Sequence, residues 1–456
     1  MTVARELAEF LTGTSPRDLP PQTIEHGAML IASTLASAAL GTGLESARII
    51  RDLARERGGR TDASVWFHAG PKLPMAQAAR VNAVASDAAA SDDSDLRNIV
   101  HAGTTLAATS LAVGERTVAG GPEVLAAIVL GYEAAGRIGE AITPGFRTRG
   151  FHGCLVAIFA GTVAAGRLLD LDAPRMTQAI ALSATSIGGL AAAANTSVAR
   201  EYHAGLAAVL GVDAALAAQR GYQAEERILE TRHGFFETYG GVEGVAAGTN
   251  ALSGLGETWD IVTDMAVKLV PGGHPHHALA EAAANAARDG GITPGEVASI
   301  TLSRPGVIAL AGPSHPTDLI GMAHSPAYFL AAGVADYGLS WAHATQAKIT
   351  DPVIHRLIDK VGVGAPPSEN IERYRQGATV TIRTMDGRVS TSTVYAPKGA
   401  GMLGIAWAEI DAKYRSLVPY SGLPDRQIEA SLEVIHDFRR VRNVSALTDL
   451  LQPQRG

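Results

Sequence analysis

Apolar and polar positions recur at helical spacing over most of residues 3–260. The segment 3–57 reads as successive helices punctuated by Pro20, Pro21 and Gly41. Further helices are predicted over 74–90, 104–113, 122–142, 155–169, 174–194 and 200–219, with polar and basic residues gathered in the short connections. Beyond residue 267 the period changes. Residues 297–304 alternate as a strand, and 378–397 alternate on both sides of Asp386-Gly387, a hairpin signature. Helices are expected between them at 326–335, 341–349 and 352–361, and the chain turns helical again over 401–451. The expectation is a mainly α protein: a large all-α domain whose first part is 1–266, an α+β module over 267–400, and a helical return over 401–456 that packs on the first domain.

Composition narrows this picture. At 456 residues, with 46% hydrophobic and 18% charged residues, the chain can bury a large core. Runs of small residues such as HAGLAAVLGVDAALAA permit close helix–helix approach. The net charge of −7 argues against nucleic acid as a partner. A negative chain that binds an anionic metabolite must concentrate its cations locally, which directs attention to basic residues in glycine-rich loops. The single cysteine, Cys154, excludes an intramolecular disulfide and fits a reducing cytoplasm. The start of the chain lacks the apolar core of a signal peptide, and no stretch suits a membrane span, so a cytoplasmic protein with no membrane partner is expected.

The candidate chemistry lies in the connections. VKLVPGGHPHHA (267–278) places Lys268, His274, His276 and His277 at the boundary between the two domains, where Lys268, His274 and His277 are expected to face a cleft. The histidine spacing does not match a helical zinc motif, and no metal is expected. Acid/base work alongside Lys268 is one reading; a helix start at Pro275 with solvated histidines is the other. SDDSDLRNIVH (91–101) sets Asp92, Asp93, Ser94 and Asp95 ahead of His101, fitting either a carboxylate that orients a histidine or simple helix capping. RTRGFHGC (147–154) surrounds Arg147, Arg149 and His152 with glycines before a helix, a carboxylate- or phosphate-binding corner. VAREYHAG (198–205) sets Arg200 and His203 on one helical face, where Arg200 can clamp a carboxylate. AHSPAYFLAAGVAD (323–336) puts Ser325 and Tyr328 at a helix start, for reach into a site or for packing. There is no Walker loop, dinucleotide fingerprint or Gly-x-Ser-x-Gly elbow. This inventory suits cofactor-free proton abstraction next to a carboxylate.

The order of these segments, with GFFETYGG (234–241) and KYRSL from Lys413, resembles the MmgE/PrpD family nearly end to end. That family includes 2-methylcitrate dehydratase, cis-aconitate decarboxylase and iminodisuccinate epimerase. The resemblance implies an all-α domain formed by both chain ends, a smaller α+β lid, and a homodimer. It places His101, His152, Lys268, His274 and Tyr328 in catalytic positions. Asp93, Ser94, Arg147, Arg149, Arg200, His203, His277 and Ser325 complete the expected binding set for a small anionic carboxylate. Where members have HALDFDDTH this chain has DAAASDDSD, so Asp87 replaces a histidine and Ala90 an aspartate; Arg200 replaces a lysine. The implied activity is a cofactor-independent, dehydratase-like lyase. Epimerisation or decarboxylation, or a silent metabolite-binding relative, are the alternatives.

Overall fold

A computed structural model describes residues 1–186, 188–248 and 250–453 of the chain, which divides into two compact units: Met1–Val267 with Ile405–Gly456, and Lys268–Gly404. The architecture is mainly α, as the spacing of apolar residues predicts. Among the described residues no single helix is long and apolar enough to cross a membrane.

In the first unit, the helices Met75–Ala88, Ala102–Thr117, Gly121–Ala141, Cys154–Leu168 and Ala199–Gln219 pack around one another, buried along most of their length. Small residues set the spacing. A Cβ added at Gly131 would lie 2.7 Å from the carbonyl oxygen of Ala160, and one at Gly205 would lie 2.5 Å from Val84. These glycines therefore mark close helix–helix approach, onto the Ala160 backbone and the Val84 side chain, which a larger residue would prevent. The helix Pro21–Gly41 carries proline at its first position, where the missing N–H costs no hydrogen bond. The returning chain end packs against it through Trp407–Leu417, from which Lys413 Nζ donates to Ser33 Oγ at 2.8 Å and to the Ser91 carbonyl.

Two stretches depart from the sequence reading. The helix expected over 174–194 is instead two, Ala173–Ser183 and Ala191–Thr196, with a break around Gly188 and Gly189; residue 187 lies outside the described residues, as do 249 and 454–456 of the first-domain expectation. The acidic loop contains a three-residue strand, Asp93–Asp95, antiparallel to Met265–Val267, with Ser94 opposite Ala266. Arg97 then ties this loop to the same segment through Asp260 and, at 3.2 Å, Asp264. A pairing over so great a sequence distance leaves no local pattern to read.

The second unit holds a four-stranded sheet in the order Val361–Val363, Val297–Ser303, Ala378–Thr384, Val389–Val394. The first pair is parallel and the other two antiparallel. Alternate residues Ile300, Leu302, Val380 and Ile382 are buried with Leu279, Ala283, Tyr328 and Phe329 from the helices His277–Asp289 and Pro326–Asp336. The hairpin turns at Asp386-Gly387, where Gly387 takes φ 92°, the left-handed region that glycine enters without strain. The predicted helix 341–349 is a 3₁₀ turn, Trp341–Ala344, followed by a short helix, Gln346–Ile349, and the strand Val361–Val363 occupies the expected end of the next helix.

Candidate active site

The first unit brings His101, His152 and His203 close to one another, with Asp92, Asp87 and Arg200 around them. The short strand Asp93–Asp95 and the turn after it fold the acidic loop back so that His101 lies at the start of the helix Ala102–Thr117. Its Nδ1 lies 2.6 Å from Asp92 Oδ2, 2.6 Å from the Asp93 carbonyl oxygen and 3.3 Å from Ser94 Oγ. A carboxylate and a carbonyl can only accept, so Nδ1 carries the ring proton and Nε2 keeps its lone pair. Asp92 is fully buried beside the ring. This is a carboxylate-oriented histidine suited to taking and returning a proton. Asp92 was legible in the sequence only as one of three aspartates; the fold singles it out.

Asp93, expected against substrate, instead turns its carboxylate toward the helix: Oδ1 accepts from the Gly103 N–H at 2.9 Å and Oδ2 from the Tyr132 hydroxyl at 3.3 Å. A negative group at a helix N-terminus is favourable. Asp95 accepts from the backbone N–H groups of Arg97 and Asn98. Burial, partly offset by Arg97, pushes its carboxyl up to about 6.

His152 precedes the helix Cys154–Leu168, and its backbone N–H donates to the Gly189 carbonyl at 2.8 Å. Burial, with His101, His203, Arg200 and Arg147 nearby, holds its imidazole well below the ordinary histidine range, so it is neutral. Its ring centre is 5.1 Å from that of His203. His203 is also depressed by burial, against a contribution from Asp87. Asp87, His101, Thr104, Thr105, His152 and Cys154 line a pocket of about 10 Å³, room for one water.

The arginines are engaged within the protein. Arg147 Nε and Nη2 donate to the carbonyls of Asn98 and Ile99, both at 3.2 Å, bracing the loop that carries His101. Arg149 Nη1 donates to the Thr238 carbonyl at 2.8 Å. Arg200 Nε meets Asp87 Oδ2 at 2.8 Å, and Nη2 donates to the Asp87 carbonyl. Burial works against the charge of Arg200, but Asp87, Asp92 and Glu201 outweigh it and hold the guanidinium protonated. Two departures from the MmgE/PrpD pattern, Asp87 for histidine and Arg200 for lysine, are thus partners in one buried ion pair. Another, Ala90, sits at φ 51°, a left-handed conformation that disfavours alanine relative to aspartate or glycine.

In the second unit, Lys268 and His274 are both buried, at 1% and 0% exposure. His274 stands 4.7 Å from His277, ring centre to centre. His274–His276 form a 3₁₀ turn, and the helix begins at His277. Burial, then Lys268 and His276, press the His277 imidazole down to about 3. His277 also borders a cavity of about 400 Å³ with Glu281, Asn285, Arg288 and Lys398. Ser325 and Tyr328 make their contacts within the second unit. Ser325 Oγ accepts from the Tyr328 N–H at 3.1 Å as the helix N-cap, and the buried Tyr328 hydroxyl donates to the Lys348 carbonyl at 3.0 Å.

Comparison with known proteins matches both halves of the chain to one family. The MmgE/PrpD N-terminal domain matches residues 5–246 and the MmgE/PrpD C-terminal domain residues 271–437. Cis-aconitate decarboxylase from Homo sapiens is 24% identical across 99% of this chain and 95% of its own length. The Mus musculus protein of that name is also 24% identical, over 99% of this chain and 93% of its own length. The cis-aconitate decarboxylase of Aspergillus terreus is 27% identical over 57% of this chain and 55% of its own length. Decarboxylases of this kind are lyases. With both of its domains matched and its helical and α+β units in the corresponding order, the chain belongs to the MmgE/PrpD family.

Proposed function

We propose that this protein is a cofactor-independent lyase acting on a small di- or tricarboxylate, with His101 moving a proton at a carbon next to a carboxylate. The observation that carries the reading is His101 Nδ1 held by the Asp93 carbonyl with the buried Asp92 carboxylate 2.6 Å away, which leaves Nε2 as the proton-exchanging atom. Neutral His152 shares the pocket and supplies a second proton carrier. The helices Ala102–Thr117 and Cys154–Leu168 both begin here, and their N-terminal dipoles favour an anion. Arg200 and Arg147 support the loops that frame the pocket through the bonds they already make.

Within the lyases, decarboxylation is the reading that the full-length relatives favour. The bond from carbon to carboxylate breaks, CO₂ leaves, and the electron pair left on carbon takes a proton from His101 Nε2, which is loaded from solvent before each turnover. Elimination of water uses the same base in the opposite sense, removing the carbon-bound proton as hydroxide departs. The pocket admits one water as it stands, so a substrate of this size binds only with widening of the space around His101 and His152.

The test is proton NMR in D₂O with cis-aconitate, citrate, 2-methylcitrate and iminodisuccinate. Loss of CO₂ supports the decarboxylase reading, and loss of water the dehydratase reading. Deuterium entering an intact skeleton makes the protein an epimerase or isomerase. Failure of every acid to react or exchange refutes the proposed substrate class and leaves a metabolite-binding relative.

A further inference from the structure

We propose that His152, Cys154 and His203 form a binding site for a soft divalent cation of the zinc class. Among the described residues these three are the group of potential ligands that converge, their donor atoms lying within 4.8 Å of one another. Zinc binds sulfur at ~2.3 Å and nitrogen at ~2.0–2.1 Å, so tetrahedral ligand atoms stand about 3.4–3.6 Å apart. The three side chains therefore need to close by about 1 Å, a rotamer-scale adjustment.

One feature beyond the convergence of the three side chains points to a ligand here. His203 is 9% exposed, and its Nδ1 is buried with no hydrogen-bond partner. A buried polar atom left unpaired is costly, and a metal ion would satisfy it. Gly189 leaves the donor atoms room. A Cβ built there would stand 2.6 Å from Cys154 Sγ and 3.1 Å from His203 Nδ1. A larger residue there would press on both donor atoms, which glycine leaves unobstructed. Gly189 does not occupy the left-handed region, so its backbone does not require glycine; the space beside the sulfur does.

Burial depresses both imidazoles, helped at His152 by His101, His203, Arg200 and Arg147 and opposed at His203 by Asp87, which favours the neutral form that ligates. The Cys154 thiol, pushed up to about 12 chiefly by burial, enters as S–H. Coordination forms the metal–sulfur bond as the S–H bond breaks, and the proton leaves to solvent. Two histidines and one cysteinate leave a fourth tetrahedral position for water.

The test is titration of the full-length, chelator-treated protein with Co²⁺, followed by displacement with Zn²⁺. One equivalent is expected to give visible ligand-field bands of tetrahedral cobalt and a near-ultraviolet thiolate-to-cobalt band, both abolished by Zn²⁺. Cys154→Ser should remove the thiolate band. His203→Asn and Gly189→Ala should each weaken binding on the order of tenfold or more. Gly189→Ala is the informative variant because it lies in a connecting turn and changes only the space at the site. The proposal is overturned if no thiolate band develops, or if His203→Asn and Gly189→Ala leave it intact. Inhibition of turnover by Zn²⁺ would additionally follow, and that consequence rests on the catalytic role proposed for His152. An intact cobalt spectrum without inhibition would count against that role and not against the site.

Discussion

Replacing Asp87 with alanine removes the carboxylate that faces Arg200 inside the first unit. The pair is close to fully enclosed, with side-chain exposures of 2% for Asp87 and 14% for Arg200, and Nε meets Oδ2 at 2.8 Å. Removing one partner of a buried pair typically costs about 3–5 kcal/mol, because the other charge stays buried without compensation. Asp92 and Glu201 also favour the Arg200 charge, and the Asp87 carbonyl keeps its bond, so the lower end of that range, about 3 kcal/mol, applies. At roughly 2–4 °C per kcal/mol for a unit of this size, the midpoint of thermal unfolding should fall by about 6–12 °C. The assay is circular dichroism on Asp87→Ala, Arg200→Met and the double variant. The double variant should be more stable than the sum of the single losses predicts, with a coupling of about 2 kcal/mol. Losses below about 1 kcal/mol that add within about 0.5 kcal/mol would refute the argument. A second cycle, Asp87→His with Arg200→Lys, asks whether the two departures compensate each other. The joint change should be tolerated better than either alone.

Asp92→Asn removes the charge behind His101 and is expected to lower kcat by about 10²-fold or more, with KM and unfolding midpoint changed little. Unchanged kcat on a substrate identified by NMR would remove His101 from the reaction. Glu201 has its carboxyl raised to about 7 by burial and then by Asp87. An acid raised on folding stabilises the protein while protonated in the native state, so this contribution is present at low pH and is lost as pH climbs from about 4.5 to 7. Glu201→Gln should therefore flatten the pH dependence of stability in that window, and a variant that parallels the parent across it would contradict the shift. Gly333→Ala sets a Cβ 2.3 Å from the Ala280 carbonyl oxygen and forces the helices Pro326–Asp336 and His277–Asp289 apart. A loss of about 1–3 kcal/mol is expected by denaturant unfolding, and wild-type stability would show that the two helices separate freely.

Sequence alone determined the elements whose signals are local. Helical spacing of apolar residues, prolines at helix starts and Asp386-Gly387 between alternating strands each act over a few residues, and the helices and the hairpin follow from them. It also brought His101, His152 and Arg200 to notice, because histidine and arginine in glycine-rich or acidic connections are unusual in an alanine-rich helical chain. What it left open was which group each would meet. The strand Asp93–Asp95 forms only because Met265–Val267 returns beside it, and that pairing selects Asp92 for His101 and turns Asp93 onto a helix start. Arg200 looked like a clamp for substrate until the fold set it against Asp87, 113 positions away. Ser325 and Tyr328 carry the same side chains in a site as in a core, and only the fold shows the partners they take, the Tyr328 N–H for Ser325 and the Lys348 carbonyl for Tyr328. His203 and Cys154 meet because the helices Cys154–Leu168 and Ala199–Gln219 pack together, and the break in the helix predicted over 174–194 sets Gly189 beside them. Propensity and pattern are summed along the chain, whereas hydrogen-bond partners, burial and the charge state of a histidine depend on distances through space, which tertiary packing alone sets.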